Sequence, residues 1–199
     1  GGRFVLNAPQ TPSTGSNDLV ARISGPWRVS FPVDWYTGGT DVKTVDWTAL
    51  ADWSANDDPD IRYFSGTATY AARVTCPPAL TRCVLDLGAV KNFAVVTVNG
   101  KTYPVLWRPP YRVDITDALD GAADLDIEIK VTNLWPNRLI GDDALPADCE
   151  WKGVVRDGVK EIGIKEIPQW VKEGKRSPTG RHTFTTWRHW AKDEKLLPS

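Results

Sequence analysis

The sequence predicts an all-β protein of about eight strands, arranged as a β-sandwich with short helical turns. Residues 125–131 alternate apolar and charged side chains, as in an antiparallel strand with one face on a core. Asn99 and Gly100 follow another alternating run and accept the positive φ angles of a type I′ hairpin turn. Extended runs separated by turns recur along the chain, which favours a sandwich over βαβ units.

The first 20 residues form an N-terminal strand and linker. Residues 3–6 are apolar enough for a short strand, and residues 8–18 are rich in Pro, Ser, Thr and Gly, which is typical of a loop. We therefore predict two parts: a strand and linker at 1–20, and the β-sandwich at 21–199.

The first half of the sandwich begins with two strands, at 19–23 and 27–31, separated by a Gly-Pro pair. Residues 46–53 predict one or two helical turns with Asp46 as the N-cap.

The central region is rich in β-branched and aromatic residues. Residues 62–74 and 83–87 predict two strands that face each other across a Pro-Pro turn. Residues 95–98, 111–116 and 125–131 predict a three-stranded meander, which the rest of the chain must cover with a second layer.

The pattern changes after Trp135. Residues 136–153 predict a long loop, and loops of that length in a compact domain are usually functional or disordered. Residues 161–167 predict a strand, 168–171 a turn of helix and 183–187 a further strand.

The charge balance excludes several classes of partner. The net charge is −1 and the isoelectric point is about 6.2, so nothing favours a nucleic acid or an anionic membrane surface. No apolar run approaches the roughly 18 residues of a membrane span. The chain begins with two glycines and no methionine, and we expect it to be a piece of a longer protein.

Ten tryptophans are the main compositional anomaly. They fill a sandwich core, or some of them stack on sugar rings beside polar groups. Three segments combine aromatic with polar side chains and are the candidate sugar-binding residues: Trp107, Arg108 and Tyr111; Trp135, Asn137 and Arg138; Trp35 and Tyr36. Packing at a domain interface is the alternative for each of them.

The three cysteines leave two interpretations open. Cys76 and Cys83 flank the Pro-Pro turn, so they form either a disulfide, which would indicate an oxidising compartment, or two buried thiols. Cys149 has no evident partner in the sequence.

The acidic residues after Trp135 are the candidates for chemistry. Glycosidases use two carboxyl groups about 5–5.5 or 6.5–9.5 Å apart, and such a pair could come from Asp142, Asp143, Asp148 and Glu150. The alternatives are a solvated acidic loop, a loop that reaches into a neighbouring domain, or a structural Ca²⁺ site with Asp142 and Asp143 as ligands. No cofactor is required by any other pattern.

Two resemblances follow from these residues. The chain resembles the galactose-binding-like jelly roll that serves as the sugar-binding domain of glycoside hydrolase family 2. That resemblance is carried by Val96-Thr97-Val98-Asn99-Gly100-Lys101, Trp107, Pro110-Tyr111, Asp114-Ile115-Thr116 and Val131-Thr132-Asn133.

More narrowly, residues 25–199 are similar to the C-terminal region of bacterial α-L-rhamnosidases of glycoside hydrolase family 106. The matching runs are Gly25-Pro26-Trp27, Tyr63-Phe64-Ser65-Gly66-Thr67-Ala68-Thr69-Tyr70, Leu85-Asp86-Leu87-Gly88, Asn137-Arg138-Leu139-Ile140-Gly141-Asp142, Thr183-Phe184-Thr185-Thr186-Trp187 and Leu196-Leu197-Pro198-Ser199.

The resemblance implies a non-catalytic accessory domain, because the catalytic carboxylates of that family lie in a barrel that these residues do not include. It implies a glycan partner that contains rhamnose or is pectic, a catalytic barrel in the same parent chain, and a periplasmic or extracellular bacterial location. A free-standing carbohydrate-binding module and a small glycosidase that uses the carboxylates at 142–150 are the two alternative functions.

Overall fold

The computed structural model describes residues 5–7, 19–34, 40–76, 80, 82–119, 121, 123–156, 159–184 and 196–197. These residues form a six-stranded sheet, a four-stranded sheet and a separate hairpin, and every strand pair is antiparallel. No helix among the described residues is long and apolar enough to cross a membrane.

The six-stranded sheet has the order β4-β3-β5-β10-β7-β8. Its strands are β3 (Trp27–Pro32), β4 (Val42–Trp47), β5 (Thr67–Thr75), β7 (Phe93–Val98), β8 (Lys101–Thr102) and β10 (Asp124–Thr132).

The four-stranded sheet has the order β2-β1-β6-β9. Its strands are β1 (Val5–Asn7), β2 (Leu19–Arg22), β6 (Val84–Asp86) and β9 (Arg112–Asp114). The hairpin and the helices are β11 (Trp151–Arg156), β12 (Val159–Ile164), α1 (Pro59–Arg62), α2 (Pro136–Asp143) and α3 (Gln169–Lys172).

The core lies between the two larger sheets. Alternate residues of β10 point into it, and Leu125, Ile127 and Ile129 are fully or almost fully buried there. Leu85 of β6 belongs to the same cluster, although it comes from the other sheet. Each such side chain contributes about 1.5–3 kcal/mol through removal from water. The predicted all-β sandwich is therefore confirmed.

The predicted hairpin turn is also confirmed. The turn between β7 and β8 has φ angles of 48° at Asn99 and 80° at Gly100. Asn99 is held there by its side chain, whose Oδ1 accepts from the backbone N–H of Asp126 at 2.9 Å.

Two predicted strand pairings are wrong. Residues 112–114 form β9, which pairs with β6 in the four-stranded sheet, so 95–98, 111–116 and 125–131 do not form a meander. Likewise β6 pairs with β1 and β9 and makes no hairpin with β5. The physical reason is that both sheets bury one face in the same core. Alternation therefore predicts a strand without predicting its sheet.

The helical turns predicted at 46–53 are wrong as well. β4 continues to Trp47, with Asp46 opposite Arg28 of β3. A short 3₁₀ turn follows at Trp53–Ala55, and its N-cap is Asp52, whose carboxylate accepts from the Ser54 N–H at 2.9 Å.

The long loop predicted at 136–153 is mostly ordered structure. α2 occupies its first eight residues with Pro136 at the first helical position, where a missing N–H costs nothing. β11 then begins at Trp151, in a hairpin with β12.

Other predictions hold in part. The strands at 19–23 and 27–31 exist but lie in different sheets, and the strand at 161–167 overlaps β12. Thr183 and Phe184 are not in a strand, and the rest of 183–187 lies outside the described residues. All three cysteines are free thiols.

Candidate functional site

Trp107 is the most exposed aromatic residue in the described part of the chain, and Arg108 lies next to it. They lie on the loop between β8 and β9, and the Trp107 side chain is 70% exposed. The Arg108 guanidinium carbon lies 5.5 Å from the centre of the Trp107 ring, within the range of a cation–π contact. A largely exposed aromatic ring is thus presented together with a group that has several hydrogen-bond donors and lies over the ring.

Strand pairing brings further apolar side chains to the same end of the sheet. Leu106 forms a bridge with Ala94, which places Trp107 beside the beginning of β7. The last residue of β10, Thr132, pairs with Phe93, and the chain runs on from there to Trp135. The exposed residues at this end, which we call the aromatic end, are Phe93, Val105, Trp107, Leu134 and Trp135.

Tyr111, a predicted sugar-binding residue, is turned into the protein. Its ring is buried and its hydroxyl donates to the carbonyl of Asn92 at 3.0 Å. Its own carbonyl accepts from the N–H of Leu87 at 2.9 Å. Tyr111 therefore fixes the base of the loop that carries Trp107, and its ring is not presented to solvent beside the Trp107 ring.

Asn137 and Arg138 are likewise buried, on α2. The Asn137 side chain is 1% exposed and makes two reciprocal 2.8 Å hydrogen bonds with the backbone of Leu197. The Arg138 guanidinium lies 5.9 Å from the centre of the Tyr63 ring, and its backbone N–H donates to the Ser65 hydroxyl at 3.1 Å.

The side chain of Asp142, also on α2, accepts several hydrogen bonds from other parts of the chain. It is fully buried and its carboxylate forms an ion pair with Arg138 at 3.0 Å. It also accepts from the N–H groups of His182 and Thr183 and from the Thr183 hydroxyl, at 2.6–3.2 Å. We call Asn137, Arg138 and Asp142 the α2 clamp: Asn137 and Asp142 attach two C-terminal segments to the helix, and Arg138 pairs with Asp142.

The close packing of α2 depends on Gly141. A Cβ atom at this position would lie 2.5 Å from Cγ and 2.6 Å from Cβ of Tyr63, and 2.7 Å from a guanidinium nitrogen of Arg138. The helix can therefore approach the sandwich this closely only with glycine there.

The remaining carboxylates make separate contacts. Asp143 and Asp148 lie 3.6 and 3.9 Å from the buried guanidinium of Arg181. The Ser177 hydroxyl also donates to Asp148, at 2.5 Å. The exposed Glu150 pairs with Lys165 at 2.6 Å, and this hydrogen bond lowers the pKa of the Glu150 carboxyl.

This arrangement bears on the predicted metal pair, Asp142 and Asp143. The Asp142 carboxylate pairs with Arg138 and accepts hydrogen bonds from Thr183, and the described part of the chain contains no group of three or more His, Cys, Asp or Glu placed to hold a metal ion. A Ca²⁺ site at this pair stays a prediction. Trp35 and Tyr36, the last predicted sugar-binding residues, lie outside the described residues.

One polar group escaped the sequence analysis. Arg176 belongs to a segment that looks like an ordinary basic loop, yet its guanidinium is 2.7 Å from the carboxylates of both Asp34 and Asp41. Hydrogen bonds to these two carboxylates raise the pKa of Arg176. Asp34 and Asp41 precede Arg176 by 142 and 135 residues in the sequence, so no local pattern could indicate these contacts.

Comparisons with known proteins show which class of protein this chain is similar to. No protein-family model matches the chain. A curated protein of Formosa agariphila named "Putative beta-glucuronidase" is 40% identical over 181 residues, which is 89% of this chain and 14% of that protein. The rhamnosidase of Novosphingobium sp. PP1Y matches 67% of this chain and 12% of its own, with 36% identity and a TM-score of 0.55.

A β-D-glucuronidase of Dictyoglomus thermophilum is less similar, with 20% identity, a TM-score of 0.45 and coverage of 71% of this chain and 24% of that one. The first two relatives are glycoside hydrolases by name, and this chain corresponds to a small part of each of them. That is the relation expected of an accessory domain.

Proposed function

We propose that the chain is a non-catalytic accessory domain of an α-L-rhamnosidase-like glycoside hydrolase, and that it contacts glycan through Trp107 and Arg108. The 36% sequence identity to a rhamnosidase supports a rhamnosidase-like enzyme as the parent protein. The accessory role is supported by the small share, 12% and 14%, of the rhamnosidase and of the Formosa agariphila protein that this chain covers.

The observation that carries the binding role is the open Trp107 ring. A flat aromatic face suits the C–H face of a pyranose, and an adjacent guanidinium donates to its hydroxyl groups. Trp107 is the most exposed tryptophan in the described residues, whereas Trp27 and Trp53 are completely buried.

The internal contacts of the carboxylates favour an accessory over a catalytic role. Asp142 accepts from several donors and is fully buried, so it has no surface on which to meet a glycosidic bond. Asp148 is engaged by Ser177 and Arg181, and Glu150 stands apart in solvent with Lys165.

A second candidate role is docking against the rest of the parent chain. The aromatic end exposes Leu134 and Trp135 by about half in addition to Trp107, and such a patch is typical of an interface. In this role the domain would support the catalytic barrel without contacting sugar.

Titration of the isolated chain separates the two roles. We expect rhamnose-containing oligosaccharides to change the Trp fluorescence saturably, because Trp107 is the tryptophan that they cover. The Trp107→Ala variant should lose this response, whereas Trp135→Ala, altered at the same end of the sheet, should keep it.

Three results would count against the proposal. A flat response of the wild-type chain would favour the docking role. A response that survives Trp107→Ala would place the glycan elsewhere. Turnover of an aryl rhamnoside that Glu150→Gln abolishes would show that the chain itself is an enzyme.

A further inference from the structure

The outer face of the six-stranded sheet, on the side opposite the core, contains a trough. It is an open concavity of about 750 Å³, and we define it by six of its lining residues: Arg28, Asp46, Ala71, Arg73, Asp126 and Glu128. The charged members are well exposed; the side chains of Arg28, Asp46, Arg73 and Asp126 are each about two-thirds accessible.

Strand register explains why the sheet dips here. One row of directly paired residues crosses all six strands on this face, in the order Asp46, Arg28, Ala71, Glu128, Thr97, Thr102. Ala71 is the smallest member and lies between two long side chains. The lining follows this row from Asp46 to Thr97, and four intervals of about 4.8 Å give it a length of about 19 Å, which is long enough for several sugar units.

The walls of the trough offer both donors and acceptors. Arg28 lies on β3 and Arg73 is two residues beyond Ala71 on β5, so guanidinium groups stand on two sides of the floor. Glu128 and Asp126 of β10 stand on a further side, with Glu128 directly opposite Ala71 and Asp126 opposite Arg73.

These charges nearly cancel. The two arginines face three lining carboxylates, and ion pairs join Arg28 to Asp46 at 3.4 Å and Arg73 to Asp126 at 3.5 Å. Two groups beside the lining also take part, because Arg73 pairs with Asp124 at 3.2 Å and Glu128 pairs with Lys130 at 3.4 Å. No excess of positive charge is present to favour an acidic polymer. A neutral polyol is the better match, because each sugar hydroxyl both donates to a carboxylate and accepts from a guanidinium.

We infer that the trough binds a stretch of a neutral oligosaccharide, with one pyranose face on Ala71 and its hydroxyl groups on Glu128 and the two arginines. The inference rests on the proposed glycan-contacting function but assigns a second subsite, separate from Trp107. The trough and the Trp107 loop then contact different parts of one glycan or two different chains.

Backbone amide shifts in nuclear magnetic resonance spectra test this assignment. We expect a neutral rhamno-oligosaccharide to shift the amide signals of Ala71 and Glu128 saturably, and oligogalacturonate to shift them at least about tenfold more weakly. Ala71→Tyr fills the floor and should abolish these shifts without affecting those at Trp107. If that variant does not fold, Glu128→Gln should weaken binding in the trough at least about threefold.

Comparison of the shifts at the Trp107 loop with those at Ala71 makes the possible failures distinguishable. Shifts at the Trp107 loop with none at Ala71 would overturn the trough and leave the proposed function in place. No shifts at either site would overturn both. Shifts at Ala71 that depend on protein concentration alone, without sugar, would show that a second copy of the chain occupies the face and would overturn the inference.

Discussion

Single residues in this protein have roles that depend on burial more than on residue type. Asn137, Arg138 and Asp142 have the chemistry of a sugar or metal site, yet each is used inside the fold. Trp107 is the same residue type as the buried tryptophans of the core, yet its side chain is exposed. A sequence supplies the residue types, whereas burial follows from contacts between distant segments.

Gly141 provides the sharpest prediction at this scale. Gly141→Ala places a Cβ within 2.7 Å of Tyr63 and Arg138, so we expect a loss of about 1–3 kcal/mol in the free energy of unfolding, measured in urea. Gly153→Ala is the matched control, because a Cβ there meets nothing within 4 Å. Equal stability of the two variants would show that α2 is not packed as described.

Cys83 gives a prediction for pH. Burial raises the pKa of its thiol from an ordinary 9.0 to about 12, so only the unfolded chain ionises this thiol between these values. Stability should therefore be unaffected by this group below pH 9 and should fall as the pH rises from 9 towards 12.

Urea midpoints at two alkaline pH values measure this effect. Between about pH 8 and about pH 10.5 the wild type should lose about 2 kcal/mol more than Cys83→Ala, whatever the stability of the variant at neutral pH. Parallel pH profiles of the two proteins would mean that Cys83 is accessible to water or already bonded.

At the scale of elements, local patterns predicted strands and turns well. β10 and the Asn99-Gly100 turn follow from alternation and from φ angles that few residues accept, and both are properties of neighbouring residues. The pairing of β9 with β6 could not be predicted, because each of these strands is only three residues long and either sheet could accept it.

The helix α2 escaped prediction for a related reason. Its eight residues include glycine and two adjacent aspartates, and the stretch is too short for a helix pattern to stand out. Contacts with residues at 63, 182, 183 and 197 support it, at sequence separations that no local window includes.

The α2 clamp can be tested through Asp142. Asp142→Asn turns an amide N–H₂ toward donors and leaves Arg138 without its anionic partner, so we expect a loss of about 3–5 kcal/mol in stability. Hydrogen exchange at the amides of His182 and Thr183 should accelerate together.

Glu150→Gln is the matched control for this variant. It removes an exposed carboxylate whose ion pair with Lys165 is open to solvent, and it should leave the free energy of unfolding almost unchanged. Similar losses in both variants would contradict the assignment of Asp142 as a buried structural acceptor.

At the scale of the whole molecule, the exposed aromatic residues of the described part of the chain lie at one end of the sandwich, and a row of mixed charges lies on the outer face of one sheet. The all-β class was predictable, because it depends on repeated alternation across the chain. The positions of these surfaces were not, because they depend on the register of six strands. The core is therefore separate from the surfaces to which we assign binding.

The most direct test of the account follows the indole N–H signals of the ten tryptophans during titration with a rhamnose-containing oligosaccharide. We predict that the signal missing from the Trp107→Ala spectrum is the one that shifts saturably, while the signals of the buried Trp27 and Trp53 stay in place and the sugar is recovered intact. An unmoved Trp107 signal, or cleavage of the sugar by the isolated chain, would contradict the account.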